Sequence, residues 1–295
     1  MRLGFIGLGT MGLPMAGHLV AAGHTVTVSS RSQAPVDKAV DGGALDGGGP
    51  EGVAAASEVI VLCLPDTPDV IAVIDSMLAF LAPGTVVVNC STIDPEAEKA
   101  ICAKVQAAGG DYLDAPISGG SMGAAKGTLC VMVGGDPAAL EKARPALEPF
   151  SSTIVHLGPT GSGQVVKLGN NLLFAAQMAA TAEAFTMIKA CGVDLQAALE
   201  VLSASTGNCT AVQGRIPFEG IQLEAPPSNG WKPGFATELM LKDLRLALAH
   251  GERVNVPMRA TVMTEALHAQ AVEAGYGRED MSAVGKVVRA EAGLL

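Results

Sequence analysis

The chain has 295 residues, 49% of them hydrophobic and 3% aromatic, and a formal net charge of -10. That length suits two domains of roughly 100 to 200 residues, and the acidic balance opposes a general attraction to nucleic acid or to an anionic membrane, which carry the same sign. No apolar run approaches the roughly 18 residues of a membrane span, and the six cysteines form no CxxC pair, so zinc-ligand spacing is absent and no metal is expected.

The chain opens on the apolar run RLGFIG, then a glycine-rich turn and a helical pattern from about 11 to 22. It passes into this motif without a charged stretch, an apolar leader core and a cleavage site, so a cytoplasmic location is expected. Gly7, Leu8, Gly9, Thr10, Met11 and Gly12 fit GxGxxG in the context that gives the pattern meaning, after a strand and at the opening of a helix. Gly7 permits the tight turn, Gly9 lets a pyrophosphate approach the backbone, and Gly12 lets helix and strand pack closely. The phosphates of a dinucleotide then lie at a helix N-terminus, where free N–H groups and the dipole favour negative charge.

The second strand, HTVTVSS, runs into Ser29, Ser30, Arg31 and Ser32 with no carboxylate. An acidic residue there would bind both ribose hydroxyls. Arg31 can instead pair with a 2′-phosphate and Ser30 and Ser32 can donate hydrogen bonds to it, so NADP is expected in preference to NAD.

Further apolar runs, EVIVLCLP, TVVVNCS, DYLDAP, TLCVMVGG and TIVHLG, are separated by segments of helical length. Strand then helix, repeated, predicts an α/β domain with a doubly wound sheet of parallel strands and crossover helices on both faces. After about 158 the strand-like runs stop, and from 164 the pattern is Ala- and Leu-rich and helical, interrupted by APPSNGWKPG. The expected domains are 1–162, binding the dinucleotide, and 163–295, helical. The segment 170–190 is too apolar for a helix with one solvated side, so other helices or another subunit should wrap it, and a homodimer or homotetramer is expected.

In GSGQVVKLGNNLLFAA, Lys167 stands in an apolar, helical stretch with Asn171 four residues on, hence on the same face. A buried lysine without a partner loses much of its hydration. Either it snorkels to water or it works.

With these residues in view the sequence resembles the β-hydroxyacid dehydrogenase family, which includes 3-hydroxyisobutyrate dehydrogenases and tartronate semialdehyde reductases. The likeness covers nearly the whole chain in ordered blocks: GFIGLGTMGLPMAGHLVAAGH, LPDTPDV, NCSTIDP, DAPISGGSMGAAKGTLCVMVGGD, GSGQVVKLGNN and GFATELMLKDLRLA. It implies an N-terminal Rossmann domain followed by an all-α domain for substrate and oligomerisation. It also implies that Leu64, Pro65 and Thr92 line the cofactor, that Lys242 reaches the nicotinamide region, and that Asp243 orients that region. By the same resemblance Ser118, Gly119 and Gly120 hold a substrate carboxylate, Lys167 is the catalytic lysine and Asn171 its neighbour, both facing the cleft. The chemistry agrees with these roles. Hydride transfer to a carbonyl carbon builds negative charge on the oxygen, which a protonated lysine stabilises and then protonates; in oxidation neutral lysine takes the hydroxyl proton.

The resemblance therefore implies an NAD(P)-dependent dehydrogenase of a short 3-hydroxy carboxylic acid such as 3-hydroxyisobutyrate, with Lys167 as general acid/base. Alternatives are a tartronate or succinic semialdehyde reductase, which would use the same residues, an imine reductase, or a non-catalytic family member. Retained Lys167 counts against the last two. The chain departs from 3-hydroxyisobutyrate dehydrogenases at Thr210, where they often carry Trp, and at Ser30, where many carry Asp.

Overall fold

In the computed structural model, which describes residues 1–294, the apolar runs of the first half pair into one nine-stranded sheet. Its strands are β1 (Arg2–Ile6), β2 (Thr25–Ser29), β3 (Leu45–Asp46), β4 (Val59–Leu62), β5 (Val86–Asn89), β6 (Asp111–Asp114), β7 (Ile117–Ser118), β8 (Leu129–Gly135) and β9 (Ser151–Gly158). Between them run α1 (Gly12–Ala21), α2 (Gln33–Asp41), α3 (Pro50–Ala56), α4 (Thr67–Met77), α5 (Pro95–Ala107), α6 (Gly120–Lys126) and α7 (Pro137–Leu147). The short strands β3 and β7 have no counterpart among the apolar runs, because two residues leave no alternation to read.

The spatial order is β3-β2-β1-β4-β5-β6-β8-β7, with β9 paired to β8, so the winding reverses between β1 and β4. Strands β1 to β6 are parallel, as the strand-helix alternation predicts. The sheet is not parallel throughout: β8 runs antiparallel to both β6 and β7. The cause is the connection. Helix α6 has seven residues, about 10 Å of rise, so the chain turns back along the sheet instead of crossing over it.

Alternation along the strands builds two apolar layers. Leu3, Phe5, Val59, Val61, Val86 and Val88 pack on one face with Met15, Leu19, Val36, Leu140 and Phe150. Ile6, Ile60, Leu62 and Val87 pack on the other with Val53, Val70, Ile74, Ile101 and Val105. Successive side chains of a strand point to opposite faces, so these valine- and isoleucine-rich runs need both faces covered. Each such side chain, fully buried, contributes roughly 1.5 to 3 kcal/mol.

The chain divides into two compact units, Met1–Lys167 and Leu168–Leu295. The division falls inside α8 (Ser162–Ala190), a helix that runs on without a break, whereas the strand-like runs alone put the boundary at 162/163. The second unit is built from the rest of α8 with α9 (Leu195–Ser203), α10 (Thr210–Gly214), α11 (Thr237–Arg253), α12 (Arg259–Ala271) and α13 (Val284–Glu291). Its core joins Met178, Ala182, Met240, Leu244, Met281 and Val284. The irregular stretch before α11 is pinned by Asp280, which is fully buried, pairs with Arg215, and accepts the N–H groups of Gly234 at 3.0 Å and Phe235 at 3.2 Å.

Candidate active site

The parallel strands end in register: Ile6 lies beside Ser29 and Leu62, Leu62 beside Asn89, and Asn89 beside Asp114. The residues that follow each strand therefore gather along one edge of the first unit, at the reversal between β1 and β4, where ligands of such sheets bind. There the structure brings together the 7–12 turn, Ser30, Leu64, Pro65 and Thr92.

The turn is shaped by its glycines. Gly7 has φ +101°, and a Cβ there would meet the Cys63 carbonyl oxygen at 2.3 Å. A Cβ on Gly12 would stand 1.9 Å from the Gly7 carbonyl oxygen, while Gly9 has nothing within 4 Å. Two of the glycines are thus required by packing, and the third keeps a space open beside the backbone. Helix α1 starts after Met11 with no side chain capping it; the Leu13 N–H is taken by the Gly9 carbonyl oxygen at 3.0 Å and Pro14 has none, so an anion there would be met by the N–H groups of the turn itself. This cradle fits a dinucleotide pyrophosphate. Leu8 is buried, and its N–H donates to Ser30 Oγ at 3.4 Å, which ties the end of β2 to the turn. Arg31 and Ser32 are exposed beside it.

At the far side of the same edge, Ser118 ends β7 and is followed by Gly119 and Gly120 at φ +137° and +63°. These backbone conformations, closed to most side chains, suit consecutive N–H groups that converge on an anion.

Lys167 lies in the second turn of α8, 8% exposed. The start of that helix is held by two acidic residues for which the sequence offered no role. Asp114, fully buried at the end of β6, accepts the N–H groups of Gly161 at 2.7 Å and Gln164 at 3.1 Å. Burial pushes its carboxyl above the usual range and the N–H bonds oppose this. Gly163 permits the approach, since a Cβ there would meet the Met132 carbonyl oxygen at 2.3 Å. Glu98, also fully buried, accepts from Asn89 Nδ2 at 2.9 Å and Gln164 Nε2 at 2.6 Å and is hydrogen-bonded by the Tyr112 hydroxyl. Burial pushes Glu98 up to about 8, against the pull of these hydrogen bonds. Burial thus favours the protonated form of Glu98 near neutral pH. Asp114 and Gln164 sit inside the blocks DAPISGG and GSGQVVKLGNN, so the blocks were legible and their inner division of labour was not. Glu98 sits in the amphipathic pattern of α5 and gives no local signal.

In the second unit Asn171 Nδ2 donates to Asp243 Oδ2 at 2.6 Å. Lys242 Nζ stands 3.0 Å from Asp243 Oδ1, close enough to pair the charges although that oxygen completes no hydrogen bond of good geometry. The structure thus gathers Asn171, Lys242 and Asp243. Thr210 opens α10 and is exposed.

Such a sheet edge and such a turn define a dinucleotide-binding protein of the doubly wound class. Residues 2–158 match the family described as the NAD binding domain of 6-phosphogluconate dehydrogenase, and residues 161–288 match the NAD-binding domain of NADP-dependent 3-hydroxyisobutyrate dehydrogenase. The chain is 39% identical to an NAD-dependent L-serine dehydrogenase of Pseudomonas aeruginosa, over 97% of each chain. It is 41% identical to a probable 3-hydroxyisobutyrate dehydrogenase of Mycobacterium tuberculosis, over 83% of this chain and 84% of the other. The solved structure of Mycobacterium tuberculosis 3-hydroxyisobutyrate dehydrogenase with L-serine superposes with a TM-score of 0.91 at 35% identity, covering 98% of this chain and 99% of that one. The protein belongs to the β-hydroxyacid dehydrogenase family, NAD(P)-dependent oxidoreductases that act on the CH–OH group of small hydroxy acids.

Proposed function

We propose that the substrate is a short 3-hydroxy carboxylate, 3-hydroxyisobutyrate or a close relative, and that Lys167 is the general acid/base. The observation that carries this reading is a buried lysine one helical turn from a buried carboxamide, Asn171, in a helix whose start is fixed by buried hydrogen bonds. 3-Hydroxyisobutyrate and L-serine are both 3-hydroxypropanoates that differ at C2, a methyl against an ammonium, so one carboxylate site and one hydroxyl site serve both.

The bound dinucleotide supplies the hydride acceptor in oxidation and the donor in reduction. Ser118 and the N–H groups of Gly119 and Gly120 hold the carboxylate. Neutral Lys167 takes the hydroxyl proton as the C3–H bond breaks, leaving a semialdehyde; in reverse the ammonium returns that proton to the carbonyl oxygen. Asn171 holds the hydroxyl or the lysine in place, and Lys242 adds a cofactor contact. The turn 7–12 takes the pyrophosphate, with Leu64, Pro65 and Thr92 lining the cofactor.

NADP is the preferred cofactor in this reading, supported by an exposed Arg31 flanked by serines where no carboxylate stands. The units serve as dinucleotide-binding and helical substrate domains, and Leu173 and Met187, about 60% exposed on α8, support a homodimer or homotetramer. A cytoplasmic site is consistent with six unpaired cysteines. Among the described residues no helix is long and apolar enough to cross a membrane.

The test is initial rate with NADP and NAD against 3-hydroxyisobutyrate and L-serine, and with NADPH and NADH against tartronate semialdehyde and succinic semialdehyde, repeated with Arg31→Asp. Fastest turnover of a 3-hydroxypropanoate with NADP, moved towards NAD by the substitution, supports the reading. Fastest turnover of tartronate or succinic semialdehyde contradicts the substrate, and an unmoved cofactor ratio contradicts the role of Arg31.

A further inference from the structure

Gln164 stands one turn before Lys167 on α8, and its carboxamide makes three hydrogen bonds, with both N–H donors used. Oε1 accepts the Ile93 N–H at 3.2 Å, and Nε2 donates to the Ser91 carbonyl oxygen at 2.8 Å and to Glu98 at 2.6 Å. One side chain thus grips the backbone on both flanks of Thr92. The grip extends outward, because Ser91 Oγ accepts the Leu64 N–H at 2.8 Å, and inward, because Asn89 accepts the Ser91 N–H at 3.1 Å while donating to Glu98. The amide has one workable orientation: turned over, its NH2 would face the Ile93 N–H and its oxygen the Ser91 carbonyl. Starting the helix does not need this side chain, since Asp114 already accepts the N–H groups of Gly161 and Gln164.

We propose that Gln164 is a positioning residue for the reaction: its carboxamide sets the distance between the Lys167 side chain and the backbone around Thr92 and Leu64. This rests on the reading of Lys167 as acid/base and of that backbone as the cofactor lining. A proton-transfer group displaced by about 1 Å costs on the order of 100-fold in rate, while the binding of each ligand alone is little changed. Glu98 Oε1, by accepting from Gln164 Nε2, keeps the amide in its working orientation.

The experiment uses the full chain with Gln164→Ala, Gln164→Asn and, beside them, Lys167→Ala. It measures kcat and KM for the hydroxyacid, NADPH affinity by fluorescence titration, thermal unfolding, and amide hydrogen exchange at Ile93 in the cofactor-free protein. In Gln164→Ala we expect kcat to fall about 10- to 100-fold with KM and NADPH affinity held to about 3-fold, and Ile93 exchange to rise at least about tenfold as its acceptor is lost. Gln164→Asn keeps an amide but is one methylene too short to span Ser91 and Ile93, so it falls between Gln164→Ala and the parent. If the alanine variant does not fold, the asparagine variant decides by the same criteria. A lower unfolding temperature with kcat per folded molecule unchanged would make Gln164 structural only and overturn the proposal. Should Lys167→Ala keep its turnover, the reading of Lys167 falls and this inference with it; an inactive Lys167→Ala beside fully active Gln164 variants overturns this inference alone.

Discussion

Two buried carboxyls each take a hydrogen bond from a carboxamide of the same helix, and they differ in what else they touch. Glu98 meets Gln164, Asn89 and Tyr112, two amides and a phenol, and burial pushes it up to about 8. Asp243 meets Asn171 and has the Lys242 ammonium 3.0 Å away. Without a cation, the first carboxyl gains more by holding its proton than by ionising in an apolar layer. With a cation beside it, the second is half of an ion pair. The same bond type thus serves as a neutral clamp in one unit and as part of a charged cluster in the other, and a change from carboxyl to carboxamide should be felt very differently at the two places.

Asp243→Asn should do the greater damage. The new NH2 group must face either the Lys242 ammonium or the Asn171 NH2, and either way a donor meets a donor. We expect a loss of about 1 to 3 kcal/mol in urea unfolding and a fall in kcat/KM of at least about tenfold, since Asn171 loses its fixed orientation. A variant as stable and active as the parent would show that the cluster is not held by charge. Asn171→Ala removes the amide and keeps the ion pair, so its effect should be nearly confined to kcat/KM, about tenfold, with stability changed by less than in Asp243→Asn; equal destabilisation would erase the distinction.

The mildest change is Glu98→Gln, whose amide keeps an oxygen for Asn89 and Gln164 and offers an N–H to Tyr112. Its value lies in the pH dependence. The folded-state pKa of Glu98, about 8, is above the unfolded value near 4.5, so the folded chain binds the extra proton between them. The stabilisation from this group is full below about pH 4.5 and is lost as pH rises through about 8. Unfolding free energies of parent and variant, measured from about pH 5 to 8.5, should start close and separate with rising pH, the parent falling below the variant as it loses that contribution. Parallel curves would mean that Glu98 is ionised throughout.

How much of this could be read from the sequence follows the range of the interactions. The turn 7–12 is local: strand, glycines and helix are contiguous, and the need for Gly7 and Gly12 is met by atoms close in the chain or on the neighbouring strand. The strands of the first unit were legible for the same reason, since valine and isoleucine runs announce burial on both faces. The reversal of β8 was not, because it depends on how far seven residues of α6 carry the chain. Lys167 and Asn171 stood out as polar residues in an apolar helix. The supports Glu98 and Gln164, 66 positions apart, did not; Asp243, 72 positions from Asn171, was legible through the family resemblance alone and its bond to Asn171 was not. Polar groups that pair at such separations look, in sequence, like ordinary members of amphipathic helices.

The central claim is that Lys167 moves the proton during hydride transfer. Its most direct test is a single-turnover measurement of NADPH formation by Lys167→Ala saturated with NADP and 3-hydroxyisobutyrate, beside NADPH affinity in the same variant. The account predicts a rate lower by about 100- to 10,000-fold with affinity within about 3-fold of the parent, and a single-turnover rate equal to the parent's would contradict it.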